Sequence, residues 1–159
     1  MSGNRFGRLV AVVVLTWTGA ALTASGAIIS GTIRQFGIPV ISPTVLLTAY
    51  KNSQCAELAG KKEKTQAETD QLTACKTDDF RATTGTRMGT FEFTEVPAGW
   101  YSLTITWPQG NVPIFCSESP DGWSVRNVER DGVISVRGTS SPFEIKETEK
   151  LEKNLTWCR

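Results

Sequence analysis

One stretch constrains the fold more than any other: Gly89-Thr-Phe-Glu-Phe-Thr-Glu-Val-Pro-Ala-Gly-Trp-Tyr-Ser-Leu-Thr-Ile-Thr-Trp107. Phe91 and Phe93 fall on one face of a first extended segment, and Tyr101, Leu103, Ile105 and Trp107 on one face of a second. Thr90, Glu92, Ser102, Thr104 and Thr106 take the opposite faces, which is the period-two pattern of half-buried strands. Between the segments lies Val96-Pro97-Ala98-Gly99, where proline fixes its own φ and glycine supplies backbone freedom. The pair is therefore expected to form a β-hairpin.

Further strands are expected at 28–34, closed by a turn at 35–39, and at 44–50, with Val45, Leu47 and Ala49 facing inward and Leu46 and Tyr50 outward. Residues 83–88 read as a loop, 112–116 as a short strand and 118–131 as a loop with turn signals at Ser119-Pro-Asp-Gly122 and Arg130-Asp-Gly132. Strands are expected again at 133–137, 142–146 and 151–157. The sum is an all-β, seven- to eight-stranded antiparallel β-sandwich.

Residues 54–80 break the pattern and are expected to form a helical insertion between the second and third strands. From Cys55 to Cys75 the run is rich in helix formers and lacks aromatic and β-branched aliphatic residues. Thr65 with Glu68 forms a capping-box signature. A single helix over the whole run would hold Cys55 and Cys75 about 30 Å apart. The run must therefore fold back near Gly60 or pair its cysteines elsewhere.

The first 27 of the 159 residues read as a signal peptide: Arg5 and Arg8 precede an apolar core from Leu9 to Leu22, followed by small residues with cleavage points after Gly26 or Ala27. The apolar core is shorter than the ~20 residues a spanning helix needs, so a membrane association is expected only if the leader stays attached. The remainder, 28–159, is one domain of about 132 residues. Without Arg5 and Arg8, the 17 basic residues become 15 against 16 acidic ones, a net charge of −1. That balance argues against nucleic acid as a partner. All four cysteines, Cys55, Cys75, Cys116 and Cys158, lie in the exported part, so a secreted or periplasmic location with two disulfides is expected. Three pairings are possible. The preferred one joins Cys55 to Cys75 and Cys116 to Cys158, contributing roughly 3 and 4 kcal/mol by loop closure.

Ile29-Ser-Gly-Thr-Ile33, Gly37-Ile-Pro-Val40 and Thr44-Val-Leu-Leu-Thr48, followed by Gly89-Thr-Phe-Glu-Phe93 and Val96-Pro-Ala-Gly-Trp-Tyr-Ser-Leu-Thr-Ile105, resemble the carboxypeptidase regulatory-like domain, a transthyretin-like β-sandwich. The match spans about half of the exported part; the insertion, the region from Asn111 to Ser141 and the cysteines depart from the pattern. The resemblance implies an appendage that accompanies enzymes and receptors or stands alone in exported proteins.

The chain has no histidine, which removes Ser-His-Asp triads, Cys-His dyads and His-ligated metals. Glu92 and Glu95, three apart on a strand, would point to opposite faces, and the pairs Glu118/Asp121 and Glu129/Asp131 lack the ligand density of a calcium loop. No metal, cofactor or enzymatic activity is expected. Trp107 and Trp157 belong to the core by register, whereas Trp100, at the bend, and Trp123, in a glycine-rich loop, are the candidate binding residues. The expected role is an interaction or accessory module that binds a protein or cell-envelope component through loops at one end. The alternative is a carbohydrate-binding module using the two tryptophans.

Overall fold

A computed structural model describes residues 26–110, 113, 115–116 and 119–158. The leader thus lies outside the described residues up to position 25, as do Val112, Ile114 and Glu118. The strand expected at 112–116 is not seen at Pro113, Phe115 or Cys116.

The chain forms β1 (Ala27–Gln35), β2 (Ile38–Pro39), β3 (Thr44–Tyr50), α1 (Ser53–Gly60), α2 (Gln66–Cys75), β4 (Lys76–Thr84), β5 (Thr90–Val96), β6 (Gly99–Gly110), β7 (Trp123–Arg130), β8 (Val133–Ser140), β9 (Phe143–Ile145), β10 (Lys150–Glu152) and β11 (Leu155–Trp157). Two sheets face each other. In the first, β1 lies between β5 on one side and β10 and β11 on the other, with β2 folded back on its end. In the second the order is β4-β3-β6-β8-β7, with β9 beside the start of β6. The all-β sandwich with a helical insertion is the observed architecture.

The alternating side chains build the core as expected. Ile29 and Ile33 of β1 and Leu155 of β11 meet Val45 and Leu47 of β3, Leu103 and Ile105 of β6 and Val136 of β8, all but fully buried. Trp107 and Trp157, one from each sheet, pack edge to face at 6.1 Å between ring centroids. The indole N–H of Trp107 donates to Gln35 Oε1 over 3.0 Å, which satisfies its one polar group.

The hairpin expected from the central stretch does not form. β5 pairs with β1 in one sheet and β6 with β3, β8 and β9 in the other, so Val96-Pro-Ala-Gly99 carries the chain across the sandwich rather than back along a neighbouring strand. Alternation dictates which side of a strand meets the core but not which layer it joins, and both arrangements bury the same side chains. A bulge prepares the crossing. Thr94 and Glu95 together face Ile28, Glu95 takes a left-handed φ of 54°, and Val96 turns inward three residues after Phe93 rather than two.

Three other expectations need correction. Residues 76–84 form a strand, β4, where the insertion was expected to run to 80 and a loop to start at 83. Residues 123–130 form β7 where a loop was expected. Both lie at the edges of the second sheet and carry charged residues along their length, so no apolar alternation marks them. Finally, β1 pairs in parallel with β10 and β11, whereas antiparallel pairing was expected throughout. Gly31 sits between these two short strands, where a Cβ would collide with the Lys153 carbonyl.

The insertion folds back after Gly60. Asn52 caps α1 by accepting from the Cys55 N–H at 2.9 Å, and Thr65 with Glu68 closes a full capping box on α2. Glu68 also accepts from Lys61 Nζ at 2.6 Å, which ties the inter-helix loop to the cap. The turn brings Cys55 and Cys75 to a Cα separation of 5.3 Å, and they are bonded, as are Cys116 and Cys158 at 5.5 Å. Leu58, Leu72 and the outward-facing Tyr50 pack around the first disulfide.

Candidate functional site

Several large apolar side chains that the core does not take are gathered at one end of the sandwich. Phe36, Ile38, Ile41, Met88 and Phe115 are between 55 and 85% exposed. β1 ends at the turn that carries Phe36 and Gly37, both in left-handed conformations, and this turn lifts Phe36 and Ile38 off the sheet. The turns around it are joined by backbone hydrogen bonds. Val40 donates to the Ile33 carbonyl, Ser42 to that of Thr86, and Phe36 to that of Trp157, at 3.0, 3.2 and 3.0 Å. Gly89 packs against Ile33 and Val40 so closely that a side chain would collide there, which places Met88 beside the same turns. The Cys116–Cys158 disulfide brings Phe115 to the residue after Trp157.

This end carries arginines but, over residues 34–43, 85–89 and 115–116, no carboxylate. Arg34 donates from Nη1 to the Gly37 carbonyl at 2.9 Å and braces the Phe36 turn, while Arg87 is exposed next to Met88. The β7–β8 turn, with Glu129, Arg130 and Asp131, belongs to the same end at the other edge of the second sheet. An apolar tip of this kind costs solvation free energy in the isolated chain, and surfaces of this kind in soluble domains mark contacts with a partner.

The two tryptophans nominated by the sequence are not brought together. Trp100 lies on the outward face of β6, half-buried at the rim of an open cleft of about 450 Å³ where β4 of one sheet faces the crossing segment from β5. Leu47, Ala49 and Tyr101 line its apolar side, with Arg81 and Thr77 among the other lining residues. Arg81 Nη1 donates to the Thr94 carbonyl at 2.8 Å across the gap between the sheets, and Thr77 Oγ1 is buried without a partner among the described residues. Trp123 opens β7 on the inward face of the same sheet, beyond β8. It is half-buried against the core, and its indole N–H donates to the Asn154 carbonyl at 3.0 Å. Trp123 is thus tied into the sandwich, whereas Trp100 stands beside a space.

The apolar end was not foreseen residue by residue. Its side chains are dispersed over four turns, and only the expectation that a loop end would carry the contact pointed to it. Among the described residues, no three carboxylate or cysteine side chains come together as metal ligands would, and no helix is long and apolar enough to cross a membrane.

No family model matches the chain, and no curated protein is similar to it. The chain is similar to the crystal structure of a Pseudomonas aeruginosa protein proposed to bind carbohydrate, with 15% identity over 86% of this chain and 92% of that one, and a TM-score of 0.42. A likeness this distant carries no argument about ligand or role.

Proposed function

We propose that this chain is a non-enzymatic, exported interaction module of the carboxypeptidase regulatory-like type, which binds a protein partner of the cell envelope through the end that carries Phe36, Ile38, Ile41 and Met88. The observation behind this reading is the concentration of exposed apolar side chains on turns locked together by backbone hydrogen bonds and a disulfide. Such a tip is preorganised, so binding would cost little further ordering. The two disulfides fit the oxidising compartment that export through the leader would reach.

The test places a photo-crosslinking amino acid at position 38 or, as a control, at the exposed position 62 of the insertion, in the native host. Protein adducts from position 38 that are absent from position 62 and lost on Met88→Ser support the reading. Identical adduct patterns from both positions would refute it.

A second reading, a carbohydrate site, draws on Trp100 beside the Arg81–Thr77 cleft. Tryptophan fluorescence across a panel of neutral oligosaccharides tests it: a saturable shift lost on Trp100→Ala supports the site, and a flat response across the panel excludes it.

A further inference from the structure

The register of the second sheet places two arginines face to face. Core residues Val136 and Gly138 of β8 point inward, so Arg137 points outward, and its direct partner on β7 is Arg126. Residues opposite one another in an antiparallel pair hold their Cβ atoms roughly 5 Å apart, and like charges there repel. Among the described residues neither guanidinium has an ion pair or a side-chain hydrogen bond, and Arg137 Nε is buried with no partner.

The surroundings of the pair are hydroxylated. The same row continues from Arg137 to Thr106, Thr44 and Thr84, and the adjacent row runs from Ser124 to Thr139 and Thr104. Arg130 of β7 is also outward-facing but is offset by its neighbour Asp131 at 3.7 Å. Glu144 lies opposite Trp100, six residues or about 20 Å along β6 from Thr106. The insertion packs over the Tyr50–Ser102 end of the face, where the Tyr50 hydroxyl and Ser102 Oγ are 2.8 Å apart.

We infer that this outer face binds an acidic polysaccharide, with a carboxylate or sulfate group of the polymer seated between Arg126 and Arg137 and its hydroxyls on the flanking threonines and serines. The anion would offset a repulsion that no described residue compensates, and a guanidinium fork matches a carboxylate or sulfate with two parallel hydrogen bonds. Nucleic acid fits less well, because its affinity comes from neutralising many phosphates and residues 28–159 carry 15 basic against 16 acidic side chains. A lipid surface fits less well too, because these two rows present no exposed large apolar side chain for insertion. The site is separate from the apolar end and stands or falls without it.

The experiment is affinity electrophoresis of the exported full chain through gels containing polygalacturonate, heparin or neutral dextran, with titrations of duplex DNA and phosphatidylglycerol vesicles alongside. Retardation by polygalacturonate or heparin, but not by dextran, is expected, and which polymer retards assigns carboxylate or sulfate. Arg126→Ala should weaken that affinity about tenfold or more, and Arg126→Lys several-fold because the charge stays while the fork is lost. Arg126 is exposed, so these variants report on binding even if Arg137→Ala perturbs folding. Ile38→Ser should leave retardation unchanged. Retardation by neither acidic polymer, retardation indifferent to Arg126→Ala, or equal arginine-dependent affinity for DNA or vesicles would each overturn the inference.

Discussion

The Tyr101 hydroxyl donates a 2.9 Å hydrogen bond to the Pro97 carbonyl, which pins an inward side chain of β6 to the segment that has just carried the chain from one sheet to the other. The ring fills the core while its polar end secures the crossing. Tyr101→Phe keeps the ring and removes the bond. Because Pro97 is exposed, its carbonyl can turn to water, and the expected loss is about 1 kcal/mol in urea unfolding. A variant as stable as the parent would show that the crossing does not depend on this bond.

Gly31→Ala should cost more. The new methyl group meets the Lys153 carbonyl, whose residue donates its own N–H to the Ser30 carbonyl at 2.8 Å, so β1 or the segment between β10 and β11 has to move. Overpacking of this kind costs roughly 1–3 kcal/mol, and a denaturant midpoint lowered at unchanged slope is the expected signature.

The insertion should behave as a unit of its own. Apart from its disulfide it buries little, with Leu58, Leu72 and Tyr50 as its larger apolar contacts. The double change Cys55→Ser and Cys75→Ser should lower stability by roughly 3 kcal/mol, the loop-closure contribution of a 20-residue separation. Hydrogen exchange should show residues 53–75 losing protection while the amides of Leu103 and Ile105 keep theirs. Uniform loss across the sheets would contradict that independence.

Glu68 provides a pH dependence with a defined sign. The hydrogen bond from Lys61 first, and that from the Thr65 backbone next, hold its carboxyl below the ordinary glutamate value. A group depressed in the folded state contributes stability above its unfolded pKa and loses it as pH falls through the folded value. The α2 cap should therefore loosen on the acid side of the normal glutamate range. In a carbon-13 titration the Glu68 carboxyl should shift below the ordinary glutamate value, and Glu68→Gln should abolish the accompanying shifts of the α2 first-turn amides. Titration at or above the ordinary glutamate value would refute the assignment.

What could be read from the residues follows a physical division. Phe91, Leu103, Ile105 and Trp107 announced their burial because alternation is a local signal, and the Thr65–Glu68 cap did the same for α2. The partition of β5 and β6 between layers is non-local and left no trace in either segment. β4 and β7 were missed because edge strands need no second apolar face. The consequences for the candidate sites are direct, since Thr77, Arg81 and Arg126 all lie on those two strands. Of the two nominated tryptophans, both half-buried, only their partners in three dimensions separate Trp100 at its cleft from Trp123, tied to Asn154.

The pairing of Ala27–Gln35 with residues 150–157 has a bearing on biosynthesis. The strand made first waits for partners made more than a hundred residues later, so the first layer cannot be completed until those residues leave the ribosome. The second layer, complete by Ile145, does not share that wait, so joining the two layers is a late event in the life of the chain.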